Sequence, residues 1–310
     1  MVRSSFWPHT VDTYDLFRVV LENPRIPKNH ISRKFSVKNP KTGESWINSA
    51  LRKQIIGVPV FRRYSFLNFK EYFYFIRTDY PHELFEDLKK EKDNLMYFCV
   101  QSGLSNFQII STQEIDPKGE IILSGCRSDY YVTIPPKSTP ENAIPVILKK
   151  AESITEESTN PSPLVFRESH YEKWDKGMEA IYRELHNNMR KPFLQVIKNT
   201  GTYSNKIAKW MKSRDEFGQT IITYFPQGVA AYQLSIFCIE TEYDSLLIDL
   251  FSSFPVSTIF CRVENYVIMS IYLPFPYESR FFVHKVLTEL AKKELVGGYT
   301  HSTIEYAHIV

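Results

Sequence analysis

The sequence predicts an α+β protein in which two winged helix-turn-helix domains alternate with two ferredoxin-like βαββαβ domains. Three observations predict it: a basic triplet of short helices that occurs twice, a strand-helix-strand-strand series after each triplet, and a shift near 160 residues that aligns the two halves. A chain of 310 residues has room for several domains, and 43% hydrophobic residues supply their cores.

In the first half, DTYDLFRVVLENP sets Leu16, Val19 and Val20 on one helical face and ends at Pro24. PKNHISRKF gives a second helix through Ile31 and Phe35, NPKTG reads as a turn, and ESWINSALRKQII aligns Ile47, Ala50, Leu51 and Ile55. MEAIYRELHNN, PFLQVIK, the turn Asn199 to Thr202 and YSNKIAKWMKS repeat that plan, and VPVFRRYSF and IITYF follow as candidate wings. EYFYFIRT, HELFEDLKK, LMYFCVQ and FQIIST then give strand, helix, strand, strand, with GEIILSG and DYYVTIPP as a hairpin after them. QLSIFCIE, DSLLIDLF, STIFCRV, YVIMSIYL, SRFFVHKVLTELAKK and STIEYAHIV complete a βαββαβ order. The resulting domains are 1–68 and 171–228 (winged helix-turn-helix), 69–134 and 229–310 (α+β), and a Pro- and Ser-rich linker with one short helix at 135–170.

The repeat is one of pattern. Thr78-Asp79-Tyr80 answers to Thr241-Glu242-Tyr243 at a shift of 163, and Tyr97-Phe98-Cys99 to Ile259-Phe260-Cys261 at 162. The strands EYFYFIRT and LSIFCI are apolar on both faces, so each sheet needs a cover on the side its helices leave open. Pairing of the two sheets, as a homodimer or as a pseudo-dimer inside one chain, would supply it.

Charge is unevenly placed. Residues 1–70 hold 13 Lys or Arg against 4 Asp or Glu, and residues 170–215 hold 10 against 5, although the whole chain carries only +3. Both basic blocks coincide with the helical triplets, which points to double-stranded DNA as partner. With the apolar stripes inward, the third helices turn out Ser45, Ser49, Arg52 and Lys53 in one copy and Asn205, Lys206, Lys209 and Lys212 in the other. Short polar side chains admit a helix to the major groove, and Arg62 and Arg63 on the first wing suit adjacent phosphates.

Signals for catalysis are missing: no GxGxxG, Walker or GxSxG motif occurs, and the eight histidines have no metal-ligand spacing. Cys99, Cys126, Cys238 and Cys261 lie far apart and read as buried thiols. The expectation is a protein that is not an enzyme and has no metal or cofactor. Without a secretory signal or a run of about 18 apolar residues, it is expected in the cytoplasm with no membrane partner.

The stretch Tyr97-Phe98-Cys99-Val100-Gln101-Ser102-Gly103-Leu104-Ser105-Asn106-Phe107 resembles the second strand, glycine turn and third strand of the Lrp/AsnC (feast/famine) transcription regulators, here as a tandem duplication of helix-turn-helix and RAM-like domain. The resemblance implies a sequence-specific DNA-binding regulator with a small-molecule effector at Gly103, Ser105 and Asn106. Asn106 stands where the family commonly has Asp, and Arg262 and Asn265 occupy the matching places in the second copy. Two other readings stay open: a sensor or assembly scaffold without DNA binding, and an enzyme like the siroheme decarboxylases, which are built from similar modules. Phe61-Arg62-Arg63-Tyr64 is similar to the arginine-rich stretch of the latter.

Overall fold

The computed structural model describes residues 11–90, 94–155, 162–171, 175–275 and 281–310; His9 and parts of the expected linker lie outside them. The chain forms two compact units, each assembled from separated segments. One gathers the chain up to Phe61 with Gly177–Met211 and Thr220–Ala230; the other gathers Arg62–Lys176, Lys212–Gln219 and Ala231–Val310.

The first unit is helical. α1 (Thr13–Glu22) starts at Asp12, whose carboxylate accepts the Tyr14 amide at 2.8 Å. α2 (Lys28–Lys34) and α3 (Pro40–Arg52) follow. Leu16, Phe17, Val20, Ile31, Ile47 and Ala50 bury together with Ile222 and Tyr224. The expected turn NPKTG is instead the opening of α3. Asn39 caps it by accepting the Lys41 amide at 3.0 Å, Pro40 takes the first-turn place where its missing N–H costs nothing, and Gly43 lies inside the helix. Gly43 is required there by packing: a Cβ on it would stand 2.5 Å from Ser32 Oγ and 2.6 Å from the Ser32 amide nitrogen. Gly43→Ala should therefore destabilise the protein by about 1–3 kcal/mol in a urea titration, despite alanine's higher helix propensity; a neutral or stabilising result would refute the close approach.

The second triplet is α6 (Lys176–Leu185), α7 (Phe193–Thr200) and α8 (Ser204–Ser213). α7 stops at Gly201, whose φ of 65° gives the left-handed cap that glycine takes without strain. Of the strands expected as wings, VPVFRRYSF contains β1 (Val60–Arg63), whereas IITYF does not form the second: that strand, β7 (Gly218–Ile221), ends where IITYF begins, and β1 and β7 pair with each other.

The two triplets are joined by a reciprocal contact. Arg25, after α1, donates from Nη1 to the Met189 carbonyl and from Nη2 to the Lys191 carbonyl at 3.0 Å. Arg190, after α6, donates to the carbonyls of Pro24 at 2.7 Å and Ile26 at 3.2 Å. Each arginine grips the carbonyls flanking the other, the signature of a two-fold relation between repeats.

The second unit carries one sheet of nine strands in the order β5-β2-β4-β3-β11-β8-β10-β9-β6. The strands are β2 (Tyr72–Arg77), β3 (Leu95–Gly103), β4 (Phe107–Ser111), β5 (Glu120–Cys126), β6 (Tyr131–Val132), β8 (Tyr232–Glu240), β9 (Ile259–Val263), β10 (Tyr266–Pro274) and β11 (Gly298–Ile309). Helix α4 (Pro81–Leu88) packs Phe85 and Leu88 onto β2, β3 and β4. α9 (Asp244–Phe251) and α10 (Phe281–Lys292) fall at their expected places between the later strands. α5 (Pro140–Ser153), within the stretch read as a linker, packs on α10 through a face of Ala143, Ile147 and Ala151. Lys293 secures its end by donating to the carbonyls of Glu152 at 2.6 Å and Ala151 at 2.9 Å.

The expected hairpin does not form. β5 lies beside β2 and β6 beside β9, at opposite ends of the sheet. β5 thus occupies, beside β2, the place that β11 holds beside β8, so each half has a fourth strand although the first half has no second helix before it.

One face of the sheet closes on itself. Phe73 and Phe75 of β2 share a cluster with Ile236 and Cys238 of β8, Cys261 and Val263 of β9 and Ile268 of β10. Four strand spacings separate β2 from β8, roughly 19 Å in a flat sheet, so these side chains meet only because the sheet curls. The cover expected from a second sheet comes from the same chain. No helix among the described residues is long and apolar enough to cross a membrane.

Candidate functional site

β11 lies at the centre of the sheet, between β3 of the first half and β8 of the second. It carries Tyr-x-His twice, as Tyr299-Thr300-His301 and Tyr306-Ala307-His308. A spacing of seven would set the two motifs on opposite faces of a regular strand, but a register shift between Ile304 and Tyr306 restores them to one face.

Each motif makes the same contacts. His284 of α10 shares a hydrogen bond with the Tyr299 hydroxyl at 3.0 Å, and His301 stacks on Phe237 of β8 with centroids 4.4 Å apart. His82 of α4 is hydrogen-bonded to the Tyr306 hydroxyl, and His308 lies 5.1 Å from Phe98 of β3. The rings of His284 and His301 meet edge to face at 5.2 Å. The buried Ser235 hydroxyl, one pair along from Phe237 on the same face, has no hydrogen-bond partner among the described residues.

Burial holds the His284 imidazole below the usual histidine pKa, so it is neutral at pH 7. A neutral imidazole bonded to a phenol can take up or pass on a proton. Burial, with Glu305 and Glu86 nearby, raises the pKa of Tyr306 and keeps its phenol protonated. Among the described residues no group of three His, Cys, Asp or Glu side chains could hold a metal ion. Four of the eight histidines that looked scattered in sequence thus gather about one strand, His301 and His308 on β11 and His284 and His82 on the helices beside it, and the doubled Tyr-x-His is the signal that sequence reading passed over.

A second polar cluster surrounds Arg127, at the end of β5. Its Nε donates to Glu71 at 2.6 Å, Nη1 to the Ser128 carbonyl and Nη2 to the Arg63 carbonyl, both at 2.8 Å, and its guanidinium lies 4.2 Å from the Tyr130 ring centroid. Arg127 and Glu71 are both buried, and the second Glu71 oxygen has no hydrogen-bond partner among the described residues. Beside them Asp129 accepts from the Ser65 amide at 2.7 Å and from Arg167 Nε at 2.8 Å, while Arg167 lies over Tyr64. The cysteines are free; burial lifts Cys99, Cys238 and Cys261 to about 12, so these thiols are not nucleophiles at neutral pH.

Of the residues expected to meet DNA, Ser45, Arg52, Lys53, Asn205, Lys209 and Lys212 are exposed, while Ser49, Arg62 and Lys206 are half-buried. Arg63 is 8% exposed with its guanidinium 4.0 Å over Phe69, which removes it from the accessible set. The trio expected to meet an effector is engaged internally. Asn106 donates to the Thr78 carbonyl at 2.7 Å and accepts its amide at 2.9 Å, and the Ser105 hydroxyl accepts from Gln101 Nε2 at 2.6 Å. Gly103 has φ 144°, and a Cβ there would stand 2.4 Å from the His301 carbonyl oxygen. Arg262 donates to the Thr241 carbonyl at 3.0 Å and pairs with Asp244.

No protein-family model matches the sequence, and no curated protein matches it significantly. Two solved structures match its fold: the siroheme decarboxylase NirDL and the same protein in complex with an iron-uroporphyrin III analogue. Both matches cover 96% of this chain and 92% of that one at 8% identity, with TM-scores of 0.51 and 0.50. The fold is thus related to one that carries an enzyme. The expectation that this chain is not an enzyme is corrected by that finding: what the sequence reading took to exclude catalysis, the lack of a local motif, does not exclude it in an architecture whose solved examples here are decarboxylases.

Proposed function

We propose that the chain is an enzyme of siroheme-decarboxylase-like architecture, built of two helix-turn-helix and two RAM-like repeats, that acts on a carboxylate-bearing tetrapyrrole. The observation that carries the reading is the match over 96% of the chain to NirDL, including its complex with an iron-uroporphyrin III analogue. The Tyr–His pairs of β11 support it chemically. In a decarboxylation the bond from carboxylate to carbon breaks, CO2 leaves, and the electron pair left on carbon takes a proton. A positioned side chain that can carry a proton serves the last step, and His284, hydrogen-bonded to the Tyr299 hydroxyl, is such a group.

The test is direct. Titrating the purified chain with iron-uroporphyrin III should shift the Soret band with a saturable dependence, and incubation with siroheme should give products lighter by CO2. A flat absorption titration together with unchanged substrate mass would reject the reading.

DNA binding is retained as a second reading on one observation, the exposed polar and basic residues of α3 and α8. It predicts duplex affinity that falls by orders of magnitude over a several-fold rise in salt and that drops in Arg52→Ala with Lys212→Ala. Affinity indifferent to both would remove it.

A further inference from the structure

We draw no further inference here: the strongest candidate, the cavity of about 660 Å³ in the helical unit between the start of α1 and the connection from α2 to α3, lined by Asp15, Phe35, Lys38 and Trp46 among others, opens beside Val11, the first described residue, and nothing in the structure shows what covers it.

Discussion

Replacing Glu71 by Gln should destabilise the protein by about 3–5 kcal/mol, the largest stability effect expected of any single conservative change in this chain. The reason is what remains. Arg127 and Glu71 are each 1% exposed, and their 2.6 Å contact is the only ion pair Arg127 makes among the described residues. Burial works to lower the Arg127 pKa and the Glu71 carboxylate more than offsets it; a guanidinium is not deprotonated in proteins, so Arg127 stays charged when its partner is neutralised. A buried cation is then left against the Tyr130 ring and two carbonyls. Glu71→Leu combined with Arg127→Met should recover most of the loss, since two apolar side chains leave no buried charge. Urea denaturation of the two single variants and the double variant measures this. A double variant no more stable than the singles would show that the carbonyl bonds of Arg127, and not the ion pair, hold this corner together.

Much of the architecture was legible because it is written in local periodicity. The faces of Leu16, Val19 and Val20 and of Ile207 and Trp210 are helical stripes, and the structure buries them. The strands after each triplet were readable for the same reason. NPKTG misled because Asn, Pro and Gly are turn formers in isolation, whereas Asn39 caps, Pro40 occupies the first turn, and Gly43 answers to Ser32 on another helix, which no local pattern records. The hairpin at β5 and β6 failed similarly: adjacent strands usually pair, but β2 and β9 each offered a free edge far along the chain.

The site was less legible than the fold. His82 and Tyr306 are 224 residues apart, and alternation alone assigns Tyr299 and Tyr306 to opposite faces until the register shift in β11 is known. Asn106 is a case of a different kind. A polar residue beside a glycine turn invited a ligand, while both ends of its amide are taken by the Thr78 backbone. Arg25 and Arg190 carried no signal at all, since each looks like one more surface cation until the repeats are seen to meet.

Replacing His284 by Gln should lower turnover of a tetrapyrrole substrate by about 10²–10⁴-fold, the usual contribution of a general acid–base group. Glutamine can still hydrogen-bond the Tyr299 hydroxyl but cannot titrate, so binding seen in the Soret band should be kept while kcat falls. The pH profile separates this role from a structural one. Burial lowers the His284 pKa, so the proton it could deliver to carbon appears only as pH drops below the ordinary histidine value of about 6.5. If the chain turns over a tetrapyrrole, the native protein should show a limb of kcat rising toward acid below that pH, and His284→Gln should lack it. Stability moves the other way: the unfolded chain takes up the proton near 6.5 while the folded imidazole resists it, so stability present above that pH is lost as pH falls toward the folded pKa. Urea denaturation across the same window should show that loss in the native chain and a smaller one in His284→Gln. A variant that keeps both the native kcat and the acid limb would remove His284 from the reaction, whatever becomes of the tetrapyrrole reading itself.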